Sequence, residues 1–590
     1  MDITLVLIIL AGAILLYATE WIRMDLVSLM VLLAVALCGL VSPEDAFSGF
    51  ANPAVITVAA MFVLSAGLTH TGALGPLGEK LLRFAGDSET RMIAAIMVAS
   101  GLFSAFINNI GATAMLMPLV TAVAHKGRLS PSKLLMPLAF GSLLGGVCTL
   151  IGTPPNILVN ELMHEHTGRG FGMFTFSPLG LILLTGGILF MLLAGRRLLP
   201  DRKGGTLTEA YQVKNYISEV AILEDSPLAN KTIAASGIER DFGLKVRALF
   251  RGSVKYPHPH RNRKLRAGDV LFLEGDPSGI LKVREKKGIA LVQEAEHPLM
   301  GISKKDEVVV VEAALTPTSE MVGKTLRDVR FADTHGLTVL AIWRKGAPVI
   351  RKVDHVALRF GDVLLLQGTR DRAVHLGRDH GFLLLGDVDR VPFRPRRGPV
   401  AILILLGVIA AASTGLFPIM IAAPTGALLM VLLRCLNIKD AYEAIDWSII
   451  VLIAGTLPLG IAMERSGAAR LLAEQLLELL GSFGPWTVLA GLFLLTFLLT
   501  AVMSNAATAV LIAPIAFETS QHLEVAPEPF YMAVAVAASA SFLTPISHQS
   551  NALVMGPGGY RFADYIRVGL PLNLVIWIIA TVLIPVLFPF

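Results

Sequence analysis

The sequence predicts a polytopic α-helical membrane protein built as an inverted repeat, with five transmembrane helices plus one re-entrant hairpin in each half and tandem soluble α/β domains inserted between the halves. Three observations carry this prediction: long apolar runs, a segment of the first half that recurs in the second, and a change of character in the middle of the chain. Of 590 residues, 54% are hydrophobic and only 16% charged, the mean hydropathy is +0.66, and an average soluble protein carries about a quarter charged residues. This composition argues against a plain soluble enzyme. Cys38, Cys148 and Cys435 all lie in apolar stretches, so neither a disulfide framework nor a Cys-rich metal site is expected.

Apolar segments fall near 2–19, 24–41, 54–70, 92–124, 132–150 and 177–195, and again near 399–414, 418–434, 447–463, 486–520, 529–547 and 568–589. Most suit a hydrocarbon layer about 30 Å thick. The first two runs read as a membrane hairpin, so no cleavable signal peptide is required. Segments 92–124 and 486–520 are too long for one helix and carry polar residues at their middles, Asn108 with Asn109 and Ser504 with Asn505. Each therefore reads as a hairpin that enters and leaves on one side. Five remaining crossings per half, an odd number, force the second half to run inverted to the first. The expected boundaries are 1–200 and 398–590 for the two membrane repeats.

Charge orients the assembly. With the middle region cytoplasmic, the short inner connections hold Arg23, Lys80, Arg83, Arg91, Lys126, Arg128, Lys133, Arg434, Lys439, Arg561 and Arg567, and the outer ones only Arg169, Arg465 and Arg470. This satisfies the positive-inside rule and puts both termini outside a cytoplasmic membrane. Arg196, Arg197, Arg202 and Lys203 before the middle region, and Arg394, Arg396 and Arg397 after it, fit the same orientation.

The two halves also align residue by residue. Segment 107–118 matches 503–514 without gaps, so Asn109 corresponds to Asn505 and Pro118 to Pro514. Five residues before each Asn stands a hydroxyl, Ser104 and Thr500. Downstream, Gly152, Thr153, Pro154, Pro155 and Asn156 correspond to Ser547, His548, Gln549, Ser550 and Asn551. Gly72 and Gly467 each precede an amphipathic stretch. Internal symmetry of this kind points to a two-fold transporter architecture.

The middle region, about 205–390, is charged and rich in Val and Gly, with short alternating runs that read as soluble α/β or β-rich structure. Segments 226–232 and 265–271 recur at 319–325 and 358–364, both offset by 93 residues. Two tandem domains, 205–297 and 298–390, follow, each with a strand pair closed by a Gly-Asp turn.

Irregular backbone at mid-membrane is tolerated only where it lines a cavity. The interruptions predicted at 108–113, 152–156, 504–508 and 544–551 therefore mark a transport site. Helix N-termini exposed there can hold an anion without Lys or Arg, and Asn, Ser and Thr can donate to a substrate or turn a carbonyl oxygen toward a cation. No Asp or Glu lies within either tip, which disfavours a proton antiporter built on an intramembrane carboxylate. Together, dipoles and neutral oxygens point to co-transport of a small anion with a cation. Polar residues of membrane helices often serve only as interhelical glue, but symmetric placement at paired interruptions favours a shared cavity.

On these paired Asn tips and Asn-ended breaks, both halves resemble the divalent anion:sodium symporter family (DASS-type, sulfate-permease-like). The middle repeats resemble the TrkA-C (RCK-C) domains that some members carry between the halves. The resemblance implies an elevator-type sodium symporter of sulfate or di- and tricarboxylates, a homodimer in membrane lipid, with no organic cofactor. It places one sodium ion at Ser104, Asn109, Gly152 and Asn156 and another at Thr500, Asn505, Ile546, Ser547 and Asn551. Substrate would meet Asn108, Asn109, Thr113, Thr153, Pro154, Ser504, Asn505, Thr508, Ser547 and His548. Where carboxylate-binding members have a hydroxyl this chain has Ile110 and Ala506, which favours sulfate. His548 is open to a structural hydrogen bond, substrate contact or proton coupling.

By the same resemblance, a nucleotide-like cytosolic ligand would regulate the middle domains. Their basic loop, His258, His260, Arg251, Arg261 and Arg263, reads as solvated rather than metal-binding, and without an aromatic platform no nucleic acid partner is expected. Two other classes stay open: a proton-coupled transporter or antiporter, and a channel or sensor gated by the middle domains, against which stands the lack of a carbonyl-lined selectivity sequence.

Overall fold

The computed structural model describes residues 2–590 apart from 20, 74–87, 127–128, 202–215, 224–225, 252–253, 258, 276–288, 292–307, 316–318, 345–346, 350–352, 360, 378, 380, 386–396 and 546. The chain divides into two compact units, 1–204 with 393–590, and 205–392.

The first unit is helical. Its first half contains α1 (Asp2–Thr19), α2 (Met24–Leu37), α3 (Pro43–Ser48), α4 (Pro53–Thr71), α5 (Glu89–Ser104), α6 (Asn109–Lys126), α7 (Pro131–Gly146), α8 (Pro154–Thr167) and α9 (Ser177–Phe190). The second half contains α10 (Gly398–Ser413), α11 (Ile419–Leu432), α12 (Ile438–Glu443), α13 (Trp447–Ser466), α14 (Ala468–Leu480), α15 (Pro485–Thr500), α16 (Asn505–His522), α17 (Glu528–Ser539), α18 (Gln549–Met555) and α19 (Phe562–Leu587). The element order repeats, save that the counterpart of α14 would fall on 74–87, outside the described residues. Among the described residues, five helical segments are long and apolar enough to cross a bilayer, Asp2–Thr19, Pro43–Thr71, Ser177–Leu198, Trp447–Ser466 and Phe562–Leu587.

Local chemistry repeats with the order. Short helices α3 and α12 open on caps in which Ser42 Oγ accepts from Asp45 N and Asn437 Oδ1 accepts from Asp440 N. α4 opens on Asn52, whose Oδ1 accepts from Ala54 N, and α13 opens on Asp446, which accepts from Ser448 N and Ile449 N. Both end at a left-handed glycine, Gly72 (φ 63°) and Gly467 (φ 78°), where other residues are strained. Packing between halves is crosswise: α2 lies on α13 and α4 on α11, α6 on α18 and α16 on α8, while α9 meets its own counterpart α19. Tyr17 joins the first of these contacts through Ser28 Oγ at 2.7 Å and Thr456 Oγ1 at 3.3 Å.

The second unit holds two five-stranded sheets. Strands β1 (Tyr216–Ile222), β2 (Lys245–Arg251), β3 (Val254–Pro257), β4 (Val270–Gly275) and β5 (Ile289–Leu291) form one, in the order β3-β2-β4-β1-β5. Strands β6 (Val308–Leu315), β7 (Thr338–Arg344), β8 (Ala347–Pro348), β9 (Val363–Thr369) and β10 (Phe382–Leu385) form the other, in the order β10-β6-β9-β7-β8, which is the same plan read from the opposite edge. Even the register shift recurs, between Val246 and Ala248 and between Val339 and Ala341. The boundary expected between 297 and 298 lies outside the described residues.

One expectation is corrected here. The Gly-Asp turns at 268–269 and 361–362 do not close hairpins, because β4 and β9 cross over to the middle of their sheets instead of pairing with the preceding strand. The Asp of each turn is instead the acceptor of a buried fork. Arg344 Nε and Nη2 donate to Asp362 at 2.7 and 2.6 Å, and Arg251 does the same to Asp269 at 2.8 and 2.7 Å. Backbone N–H groups of Arg359 and Arg266 complete the pattern, each at 2.8 Å. Removing one partner of a buried pair strands the other charge, so Asp362→Ala should destabilise the second sheet by about 3 kcal/mol. Faster amide hydrogen exchange along β9, with exchange in α5 unchanged, would register that loss.

The basic loop is exposed at His260 and Arg261, and three of its cations have partners. Arg251 is held by Asp269, Arg261 donates to Glu239 at 2.7 Å, and the Arg263 guanidinium lies 3.8 Å from the Tyr256 ring centroid. His258 lies outside the described residues. Among the described residues no cluster of three His, Cys, Asp or Glu could hold a metal ion.

Candidate functional site

The predicted interruptions exist, but the helix breaks precede the paired Asn residues rather than containing them. α5 ends at Ser104 and α6 begins at Asn109, and α15 ends at Thr500 and α16 begins at Asn505. The residue before each Asn is a cap: Asn108 Oδ1 accepts from Gly111 N at 2.6 Å, and Ser504 Oγ accepts from Ala507 N at 3.2 Å. Such a cap satisfies one first-turn N–H and leaves the others free of intrahelical partners.

Hydroxyls five residues upstream fix both Asn side chains. Ser104 Oγ donates to Asn109 Oδ1 at 2.6 Å; Thr500 Oγ1 shares its proton between Asn505 Oδ1 at 3.0 Å and Ala538 O at 2.9 Å, and Ser541 Oγ also donates to Asn505 Oδ1, at 2.7 Å. With the carbonyl oxygens occupied, the two amide nitrogens face away from these hydroxyls. Asn109 Nδ2 lies 3.4 Å from His548 Nε2, whereas Asn505 Nδ2 is buried with no partner among the described residues.

The downstream breaks are stapled by the other two Asn residues. Asn156 Nδ2 donates to Thr149 O at 2.8 Å and Gly146 O at 3.5 Å, and Asn551 Nδ2 donates to Thr544 O at 3.1 Å and Ser541 O at 2.7 Å. Both side chains have 0% exposure, and both Oδ1 atoms lack a partner among the described residues. Burying an amide oxygen unpaired costs on the order of 1–3 kcal/mol. Two such oxygens at equivalent positions suit a cation that prefers neutral oxygen ligands. Thr149 Oγ1 donates to Ala105 O, and its counterpart Thr544 Oγ1 donates to Ala501 O at 3.3 Å, tying each break to its tip.

Thr153 and His548 cap the helices that leave these breaks, with nearly equal dihedrals (φ −145°, ψ 142° and φ −150°, ψ 138°). Thr153 Oγ1 is buried and unpartnered among the described residues. Because α6 packs on α18 and α16 on α8, each tip faces the break of the other half. Asn109 meets His548 directly, and Asn505 and Thr153 are the repeat counterparts of that pair.

The remaining predicted residues occupy less direct places. Thr113 Oγ1 is 2.9 Å from Ser142 Oγ, and Thr508 Oγ1 donates to Ser504 O at 3.0 Å, so both are engaged one turn inside the tip helices. Pro154 is half-buried as the first residue of α8. Ser547 Oγ lies 2.8 Å from Thr544 O and 3.2 Å from Ser541 O. Gly152 presses against Gly146 O and Ser104 O. Ile546 falls outside the described residues.

Sequence reading missed Gly146, Thr149, Ser541 and Thr544, although Gly146 and Thr149 stand to Ser541 and Thr544 as Gly152 stands to Ser547. It also missed Tyr565, whose hydroxyl donates to Asn551 O at 2.7 Å. A Cβ on Gly146 would collide with Asn109 Oδ1. Gly146→Ala should therefore displace the first tip and, with Asn109 as a candidate ligand, cut uptake at least about tenfold; wild-type uptake in that variant would show that the contact is unimportant.

Residues 14–537 match the family described as citrate transporter (CitMHS). A Synechocystis sp. protein described as an uncharacterized transporter is 36% identical, covering 100% of this chain and 97% of its own length. The Escherichia coli uncharacterized transporter YfbS is 34% identical over 99% of both chains. A probable sodium/sulfate cotransporter of Chlamydomonas reinhardtii is 22% identical, covering 96% of this chain and 86% of its own.

Proposed function

Because the chain belongs to the citrate transporter family, we propose that this membrane transporter is a secondary active symporter that moves a small divalent oxyanion, sulfate in preference to dicarboxylate, together with sodium. The observation that carries the reading is the matched set of buried polar atoms without a partner among the described residues: acceptors at Asn156 Oδ1 and Asn551 Oδ1, and donors at Asn505 Nδ2 and Thr153 Oγ1. Native interiors rarely leave such groups unsatisfied. The acceptors suit sodium, and the donors with two helix N-termini suit an oxyanion.

In this reading Ser104, Asn109, Gly152 and Asn156 serve one sodium ion, and Thr500, Asn505, Ser547 and Asn551 the other. The anion sits between the tips near Thr153 and His548. Ile110 and Ala506 offer no hydroxyl, which favours a compact tetrahedral anion over a longer carboxylate, and the sodium/sulfate name of the Chlamydomonas relative agrees. The two halves are related as an inverted repeat, both termini lie outside, and the tips move with their helices as an elevator within a homodimer. Residues 205–390 are a cytoplasmic module, TrkA-C-like, that senses a small ligand.

Uptake of labelled sulfate into proteoliposomes tests this. An inward sodium gradient should drive accumulation, and replacing sodium by choline should abolish it. Accumulation driven equally well by a proton gradient in choline would point instead to proton coupling.

A further inference from the structure

Three acceptor atoms that could face the anion are already taken. Asn109 Oδ1 receives the Ser104 hydroxyl, Asn505 Oδ1 receives those of Thr500 and Ser541, and His548 Nδ1 receives the N–H of Ser550 at 3.1 Å. That last bond settles the imidazole. A ring nitrogen that accepts a backbone N–H carries no proton, so the proton of the neutral ring is on Nε2. His548 Nε2–H and the Asn109 amide N–H then lie 3.4 Å apart as two donors that cannot bond to each other. Turning the Asn109 amide over would close that contact, but the orientation seen is the one its repeat counterpart adopts, Oδ1 toward the hydroxyl. Asn505 Nδ2, on a residue only 8% exposed, adds a third donor, and the Thr153 hydroxyl, 1% exposed, can add a fourth. Among the described residues no carboxylate lies in either tip or break.

We infer that this cage accepts tetrahedral oxyanions that carry no proton and rejects those that keep one, with His548 as the residue that enforces the difference. The inference rests on the proposed anion site and deepens it. A protonless dianion such as sulfate or selenate only accepts hydrogen bonds, so every donor finds an oxygen. Hydrogen phosphate and hydrogen arsenate have the same charge and nearly the same shape, but each bears a hydroxyl that must donate. Of these groups only the Thr153 hydroxyl can accept as well as donate, so against Asn109, Asn505 and His548 that hydroxyl is buried beside like partners and its hydrogen bond to water is lost there without replacement. A site built on matched donors and acceptors discriminates strongly against a group left unpaired. Charge alone cannot separate these anions, because no Lys or Arg lies in the tips or breaks and both kinds are dianions.

The test is thermal stabilisation of the purified full-length protein in saturating sodium, titrated with sulfate, selenate, phosphate and arsenate at a mildly alkaline pH where the last two are monoprotonated dianions. Sulfate and selenate should bind on the order of a hundredfold more tightly than phosphate and arsenate. Four similar affinities would overturn the inference and leave the anion site standing, whereas no stabilisation by any of them would remove the site itself. His548→Gln supplies an amide that can present either oxygen or nitrogen to the cage. In that variant sulfate should weaken and the preference narrow to within about tenfold. A preference kept at its full width in the Gln variant would remove His548 from the explanation.

Discussion

Replacing Asn505 by Ala should lower sodium-driven uptake by about a hundredfold or more while leaving the protein inserted and folded. The side chain is held on two sides, by Thr500 at 3.0 Å and Ser541 at 2.7 Å, and offers its remaining N–H groups to the space where the anion is proposed to sit. Alanine removes that donor and leaves Ser541 Oγ without the acceptor it now has. Losing about 3 kcal/mol from these sources is a hundredfold in binding. Asn505→Asp separates the two roles. An aspartate keeps an acceptor for both hydroxyls but replaces the donor with a negative charge, so the tip should stay formed while anion binding is lost. Wild-type uptake in either variant would refute the assignment.

Asn156→Ala and Asn551→Ala should each raise the sodium concentration needed for half-maximal uptake by about 10- to 100-fold, the range seen when a group that orients metal ligands is removed. Each amide does two things at once. Its nitrogen staples two carbonyl groups of a break, at 2.7 and 3.1 Å for Asn551, and its oxygen is the buried acceptor that nothing else satisfies among the described residues. Sodium titrations of uptake at fixed sulfate check this directly, and an unchanged sodium dependence in both variants would separate these residues from ion coupling. A difference between the two would measure how unequal the halves have become.

The repeat itself was legible from sequence, because the Asn109 and Asn505 segments align without gaps and the hydroxyls at Ser104 and Thr500 stand at equal distances from them. Those hydroxyls do bond the paired Asn residues. The position of the breaks was less legible. Polar residues at the middle of a long apolar run suggest a break at the polar residues, yet Asn108 and Ser504 act as caps, which puts the break on their N-terminal side and makes the Asn the first helical residue. The contribution of Ser541 was hidden because its partner Asn505 is 36 positions away. Gly146 carries no functional group to notice, and its role is space beside Asn109. In the second unit, the 93-residue periodicity pointed to the plan that the two five-stranded sheets share, but not to its strand order. A Gly-Asp pair between alternating runs looks the same whether the strands on either side are partners or are separated by a crossover. What accompanies the crossover is the Arg344 to Asp362 fork, joining residues 18 positions apart.

Crosswise packing ties these pieces to one account. Each capped tip lies against the break helix of the opposite half, so a ligand held by one tip, as proposed, would also meet elements of the other. Two sodium ions bound at the stapled breaks would order the tips that donate to the anion, and the anion's charge would in turn favour the ions. The most direct measurement of that coupling is the melting temperature of the full-length protein titrated with sulfate in sodium and in choline. Ligands that bind the folded protein cooperatively should stabilise it together by more than the sum of their separate effects, with sulfate ineffective in choline. Equal stabilisation by sulfate in both salts would contradict an oxyanion cage assembled by sodium between Asn109 and Asn505.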